Sequence, residues 1–480
     1  MNFMIYDIAL LIVFVIFFSI FLYRGRKNLK KDGLLVLYKT KWGMRFIDYV
    51  GKKYPKTFNV MSYVSIGVGY ILMIGVIYMF YSITKIYLFN QSVVEAVKVP
   101  PITPLIPYLP QMFKLSYLPD FYFSYWIIIL AIIAITHEFA HGIFMRHYKI
   151  KIKSTGFAFF PWFFPIFPAA FVEQDEKSMI KSKKLEQMAV LSAGTFANLI
   201  TAILTFIVFA LFFLFAFSPT GVTFDTYPYG IFNSTQVSSI NGIYLENPNY
   251  ENVLSLMGEG FNEVKINEKS YIIDKESFIK SEVKELFEKE NMIFLFYDAP
   301  AIKANLTGAI TKIDGENIES LNDLEKELVK KTPGQRITIT TKTTDGEKNL
   351  TIVLDKNPVN ENLSWLGIGF FEEKSSGISG KIFSFMSSFK ESHVYYESKF
   401  EGGLIIYNFL WWLILISISV ALVNMLPVGI FDGGRFFYLT ILGITKNEKI
   451  ARKSFAIVTY LFLILVLWLM IKWASYLFLK

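Results

Sequence analysis

Ile132-Ile133-Ala134-Ile135-Thr136-His137-Glu138-Phe139-Ala140-His141-Gly142-Ile143-Phe144-Met145 sets three ionisable side chains within an apolar run that begins near Phe123. Histidines four apart project from one face of a helix and can share a zinc ion, and the glutamate between them is placed to act as a base. Ionisable groups are costly inside a bilayer and usually mark function there. The motif arises too rarely by chance in a chain of this composition for two hydrogen-bonded core histidines to be a competitive reading. The stretch therefore predicts a membrane-spanning helix carrying metalloprotease chemistry.

Working outward, 53% of the 480 residues are hydrophobic and 48 are phenylalanine, more apolar than ordinary soluble domains. Six runs are long enough to span a bilayer, at approximately Met4–Tyr23, Val60–Ile83, Phe123–Met145, Met188–Phe217, Leu404–Leu426 and Ser454–Leu477. The first lacks a basic start and a small-residue cleavage site, so it is expected to be retained. Most of the net charge of +8 lies in short loops beside these runs, which argues for membrane orientation and against nucleic acid. Arg24–Lys56 holds eleven basic residues against two acidic ones, and Arg146–Glu186 eight against four. Phe89–Tyr122 has only Lys98 and Lys114. The positive-inside rule predicts basic loops in the cytoplasm, with the amino terminus and residues 218–403 outside.

A catalytic zinc needs a third protein ligand and an open position for water. The chain has no cysteine and only two further histidines, so a carboxylate is expected to complete the site. His147 reads as a solvated loop residue, and His393 falls on the other side of the membrane. Asp432 follows the fifth run in Asn424-Met425-Leu426-Pro427-Val428-Gly429-Ile430-Phe431-Asp432-Gly433-Gly434-Arg435. Spacing alone divides it evenly between ligand and turn-forming Asp-Gly. Orientation tips the balance, because the third and fifth spans both run inward and bring His137 and Asp432 to the same side.

Residues 218–403 contain the soluble part of the chain. Ala309–Ile313 reads as a strand, Asp314-Gly315 as a turn, Leu321–Lys331 as a helix and Arg336–Lys342 as a strand. Ala299–Gly308 with Ile313-Asp314-Gly315 resembles the ligand-groove and turn region of PDZ domains, over about 296–372. Ser239-Ile240-Asn241-Gly242 is a second turn signal of this kind, within a segment that sequence leaves unassigned.

Together, His137–His141, the later Asp432-Gly433-Gly434 and the PDZ-like insert resemble the site-2 protease family of intramembrane zinc metalloproteases, across roughly residues 123–435. Ala193-Gly194-Thr195-Phe196-Ala197-Asn198 is similar to that family's glycine-to-asparagine motif, although proline is common where Thr195 stands. Gly156-Phe157-Ala158-Phe159-Phe160 and Pro165-Ile166-Phe167-Pro168-Ala169-Ala170-Phe171-Val172-Glu173 resemble its membrane-dipping hairpin. The extra spans resemble six-span archaeal members.

The resemblance implies a predominantly α, polytopic membrane protein with about six transmembrane helices and one extracytoplasmic α+β PDZ-like domain between the fourth and fifth spans. The expected parts are a two-span region at 1–122, catalytic core at 123–217 and 404–435, the outer region at 218–403 and a last span in 436–480. It implies one Zn2+ per chain on His137, His141 and Asp432, with Glu138 as general base. Asn198 and Asn424 would donate to the oxyanion or substrate backbone. A helical substrate must unwind, and its freed backbone groups need partners. Gly156, Phe157 and Phe159 would supply them by strand alignment. Implied partners are the lipid bilayer, single-span membrane protein substrates and an upstream trimming protease. A prenyl-protein endopeptidase typically takes a downstream glutamate and lacks a PDZ-like insert, which disfavours it here. A non-catalytic receptor has no need of a buried base.

Overall fold

A computed structural model describes residues 3–25, 29–33, 35–90, 94, 100–113, 115, 118–160, 167–343, 345–371 and 377–478. Lys98, Lys114, Pro165 and Ile166 lie outside the described residues. The chain divides into one unit of Met1–Phe212 with Leu404–Lys480 and a second of Phe213–Gly403.

The first unit is built on helices α1 (Phe3–Gly25), α2 (Met44–Lys53), α3 (Pro55–Phe89), α4 (Phe123–His147), α5 (Lys184–Ala216), α6 (Gly403–Asn424), α7 (Asp432–Thr445) and α8 (Glu448–Phe478). Among the described residues six helices, all but α2 and α7, are long and apolar enough to cross a membrane. They fall on the six apolar runs, since a helix is the one open segment that satisfies its own backbone in lipid. Pro427 and Gly429 do end α6, but Asp432 opens a new helix rather than a loop. Gly433 and Gly434 make this possible. A Cβ on Gly433 would lie 2.5 Å from the Leu426 carbonyl oxygen, and one on Gly434 would lie 2.7 Å from the Val428 carbonyl carbon.

Helix α4 is anchored at both ends. Asp7 of α1, 2% exposed, accepts hydrogen bonds from the backbone N–H groups of Phe123 (2.7 Å) and Ser124 (2.9 Å) and from Tyr108 Oη (2.6 Å). It thereby caps two otherwise unpaired amides at the start of α4. At the far end His147 Nε2 bonds Asn59 Oδ1 of α3 at 2.8 Å, so this histidine closes the helix instead of sitting in a loop.

Strands β1 (Leu29–Asp32), β2 (Leu35–Thr40), β3 (Ile152–Phe160) and β4 (Phe167–Gln174) form an antiparallel sheet in that order. The expected hairpin is β3–β4. Its first strand is not an edge: Phe157 pairs with Tyr38 on one side and Ala170 on the other. Gly156, Phe157 and Phe159 thus have neighbours on both sides, and the open edge belongs to β4.

In the second unit β5 (Phe217–Val222) pairs with β18 (Val394–Ser398). Between them lie two modules with one element order. Strands β6 (Tyr229–Asn233), β7 (Val237–Ile240), β8 (Ile243–Tyr244), β9 (Phe261–Ile266), β10 (Lys269–Asp274) and β11 (Met292–Tyr297) form a sheet ordered β6-β11-β10-β9-β7-β8. Strands β12 (Ala309–Ile313), β14 (Arg336–Thr343) and β15 (Gly346–Val353) join β5 and β18 in the order β15-β14-β12-β5-β18, with β13 (Glu316–Asn317) on β12, and β16 (Asp355–Lys356) pairs with β17 (Ser364–Trp365).

The correspondence reaches single bonds. Asn241 and Asp314 both take φ of +49°, each followed by a positive-φ glycine, the requirement of a tight two-residue hairpin. The Asn241 N–H donates to Glu263 O, and Asn241 Oδ1 accepts from the Glu263 N–H. Asp314 makes the same pair of bonds with Thr338. A helix follows in each module, at Tyr250–Ser255 capped by Asn249 and at Leu321–Val329 capped by Ser320. Most of residues 221–292, unassigned from sequence, therefore belongs to a further module at 229–297 with its own core, including Ile240, Val264, Phe278 and Leu295.

Candidate metal centre

Helical spacing alone turns His137 and His141 to one side of α4, and both are buried, at 8% and 7% exposure. Their Nε2 atoms lie 3.1 Å apart. Asp432 Oδ2 reaches to 3.5 Å from His137 Nε2 and 3.2 Å from His141 Nε2. Three sequence-expected ligands thus meet, with one donor atom each within 4.8 Å of the others.

This donor set fits zinc. Bonds of about 2.0–2.1 Å in a tetrahedral site place neighbouring donors roughly 3.3–3.4 Å apart, which the triangle of 3.1, 3.2 and 3.5 Å straddles. The second fit is a gap. A Cβ on Gly194 of α5 would lie 2.6 Å from His137 Nε2 and collide with His141 Nε2. Glycine keeps that space clear beside both nitrogens. Two imidazoles and a carboxylate are also the ligands left to a cysteine-free chain.

The outer ring nitrogens are held as well. His141 Nδ1 lies 2.7 Å from the Val190 carbonyl, so Nδ1–H donates and Nε2 keeps its lone pair for the centre. Asn198 Nδ2 lies 3.0 Å from His137 Nδ1, while the buried Asn198 Oδ1 has no hydrogen-bond partner among the described residues. A half-turn of that amide puts Oδ1 on His137 Nδ1–H and leaves both histidines in the same metal-ready tautomer. Asn198, expected as a donor to substrate, is placed against the ligand instead.

Glu138 Oε2 accepts a hydrogen bond from the Val172 N–H at 2.9 Å. A narrow cavity joins Glu138 to Thr155, Gly156, Phe157, Ala170 and Phe171, so two of the three expected hairpin residues share its space. Phe159 does not. It is 4% exposed and packs on Phe18 of α1, ring centroids 4.9 Å apart. Asn424 closes α6 half-buried, and among the described residues no hydrogen bond ties its side chain. His393 belongs to the second unit, where its Nδ1 lies 3.4 Å from Asp225.

Sequence reasoning missed Asp7, the Val190 carbonyl and the Val172 N–H. Asp7 had a signal, being a lone acid inside an apolar run. The other two are backbone groups and carry none.

The family model described as Peptidase family M50 matches residues 125–469. An uncharacterized protein of Methanocaldococcus jannaschii is 29% identical over 201 residues, 40% of this chain and 47% of that protein. The chain thus spans about half the length of the curated relative it matches.

Proposed function

The chain belongs to peptidase family M50, the site-2 protease family of intramembrane metalloproteases, and from that premise we propose a zinc metalloendopeptidase that cuts single-span membrane proteins within or near their transmembrane segments. The observation that supports this most directly is the triangle of buried His137 and His141 with half-buried Asp432, beside the space that Gly194 leaves open.

Zinc, when bound, supplies Lewis-acid activation of water and of the scissile carbonyl. Glu138 takes the proton of the attacking water and delivers it to the leaving amine. Asp432 and the two imidazoles present their donors, while Val190 and Asn198 fix the imidazole rings from behind. The half-buried Asn424 is the remaining amide available to the oxyanion or the substrate backbone.

Substrate alignment is assigned to β4, the edge strand, in place of Gly156, Phe157 and Phe159 on β3. Strand alternation directs the N–H of Ala170 to the same edge as that of Val172, beside Glu138. An unwound substrate segment that adds there brings its peptide bonds to the base. We place the basic loops in the cytoplasm, with the active site towards that side and the second unit outside. That unit then selects substrates already trimmed by another protease. Joining Val222 directly to Val394, which face each other across β5 and β18, removes both modules and should admit untrimmed substrates.

The deciding experiment measures zinc per purified chain and cleavage of a single-span substrate, for wild type and Asp432→Ala. One zinc with cleavage, both lost in the variant, supports the reading. Full zinc in the variant removes Asp432 from the site. Zinc-loaded wild type that cleaves nothing argues against a protease.

A further inference from the structure

Helix α2 has two faces of opposite chemistry. One is committed to α4. Ile47 is fully buried against Gly142, where an added Cβ would meet its side chain at 2.9 Å. Gly51 lies so close that a Cβ there would stand 2.8 Å from the Ile143 carbonyl oxygen, and Asp48 pairs with Arg146. The ring of Phe139, the residue after Glu138, contacts Trp42 and Phe46 with centroids 5.7 and 5.8 Å apart. This face of α2 therefore bears on α4 over the very turns that hold Glu138 and His141.

The opposite face carries Arg45, Tyr49, Lys52 and Lys53, an exposed stripe at helical spacing, and Trp42 and Phe46 border it on the side of Phe139. Trp42, Phe46 and Tyr49 are 59%, 54% and 57% exposed. Lys53 Nζ stands 4.7 Å over the Tyr49 ring. The one acid of the helix, Asp48, is taken by Arg146, and among the described residues no ion pair reaches Lys41, Arg45 or Lys52. Only Tyr54 separates α2 from α3, so the stripe lies at the end of a membrane span. Aromatic rings interleaved with cations at that level match the chemistry of a headgroup layer, with apolar bodies towards acyl chains and cations on phosphate.

We propose that α2 is a docking surface for anionic phospholipid, that phosphates engage Lys41, Arg45 and Lys52, and that this contact sets how firmly α2 supports the catalytic turns of α4. Charge complementarity selects the occupant, since three unpaired cations favour an anionic over a zwitterionic surface. The binding half stands independently of the proposed reaction, and the activity half rests on it.

The test uses the full chain in nanodiscs of phosphatidylcholine alone or mixed with phosphatidylglycerol. Its two readouts are phosphatidylglycerol retained per chain by native mass spectrometry and the initial cleavage rate of a single-span substrate. Wild type is compared with K41Q/R45Q/K52Q and with the charge-keeping K41R/R45K/K52R. Phosphatidylglycerol should be retained by wild type and raise its rate about fivefold, the scale of one surface charge. The glutamine variant should lose both effects while matching wild type in phosphatidylcholine and in zinc content, and the charge-keeping variant should behave as wild type. Equal retention and equal stimulation in the glutamine variant would overturn the proposal. So would stimulation by soluble glycerol phosphate, which would assign the cations to free anions. Retention lost with no rate effect in any chain would reject the coupling to α4. A chain that cleaves nothing in any lipid would count against the protease reading alone, with retention still deciding the docking.

Discussion

Glu138 and Val172 are joined by a 2.9 Å hydrogen bond in which the strand backbone donates to the carboxylate, so Glu138 is anchored to the free β4 edge of the β1–β4 sheet. The bond orients one carboxylate oxygen and leaves the other for water. A backbone ester at Val172, or Val172→Pro, removes the donor while leaving all three metal ligands. Since hydrogen bonds to charged groups contribute about 1.5–3 kcal/mol, kcat should fall on the order of tenfold to a hundredfold. Zinc content should not change. Steady-state kinetics with metal analysis reads both, and an unaltered kcat would mean that Glu138 needs no such anchor.

Gly194→Ala places a methyl group where it collides with the Nε2 atoms of both histidines. Either the imidazoles swing away or the space for the ion closes, and zinc per chain should drop at least about tenfold in either case. Dialysis against graded free zinc followed by elemental analysis measures this. Wild-type affinity in the variant would show that the ion lies elsewhere.

Asn198 separates two roles cleanly. If it accepts from His137 Nδ1–H, Asn198→Ala weakens zinc binding about 10–100-fold, as loss of such partners does, and Asn198→Asp restores it. If it donates to the oxyanion, Asn198→Ala keeps its zinc and loses kcat by about 100-fold or more. The geometry at 3.0 Å from the ring nitrogen favours the first outcome.

In the second unit the Asp314 carboxyl is held below its usual range, first by the hydrogen bond from Lys331 (2.5 Å) and then by the Thr338 N–H (2.8 Å). A carboxyl depressed by folding adds stability that is complete above its unfolded pKa of about 3.9 and is lost as pH falls through its folded pKa. Wild type should therefore exceed Asp314→Asn in thermal stability near neutral pH and converge with it in acid, as pH falls below the unfolded pKa of about 3.9 and through the lower folded one. Melting curves across that range decide it. A gap that persists at the acid end would assign the difference to turn geometry instead of charge.

Much of this architecture was legible because its signals are local. Six apolar runs became six helices, and the 3.6-residue period alone set His137, Glu138 and His141 on one turn. Asp314-Gly315 announced its hairpin through the one backbone geometry that such pairs favour. The likeness of the two modules was harder to see. Asn241 stands where the later module has Asp314, and seven residues lie between it and its helix cap against five in the later module.

The sequence by itself therefore determined the membrane helices, two candidate metal donors with a carboxylate between them, and the ligand chemistry open to a chain without cysteine. Only the tertiary structure decided that Asp432, 295 residues beyond His137, completes the triangle. It alone showed β2 filling the edge of β3, which leaves β4 as the strand proposed for substrate alignment. The Val172 N–H and the Val190 carbonyl also had to await it, because every non-proline residue carries both groups. Which of them meets a side chain of the site is fixed by packing, and a backbone group is the same whatever residue carries it.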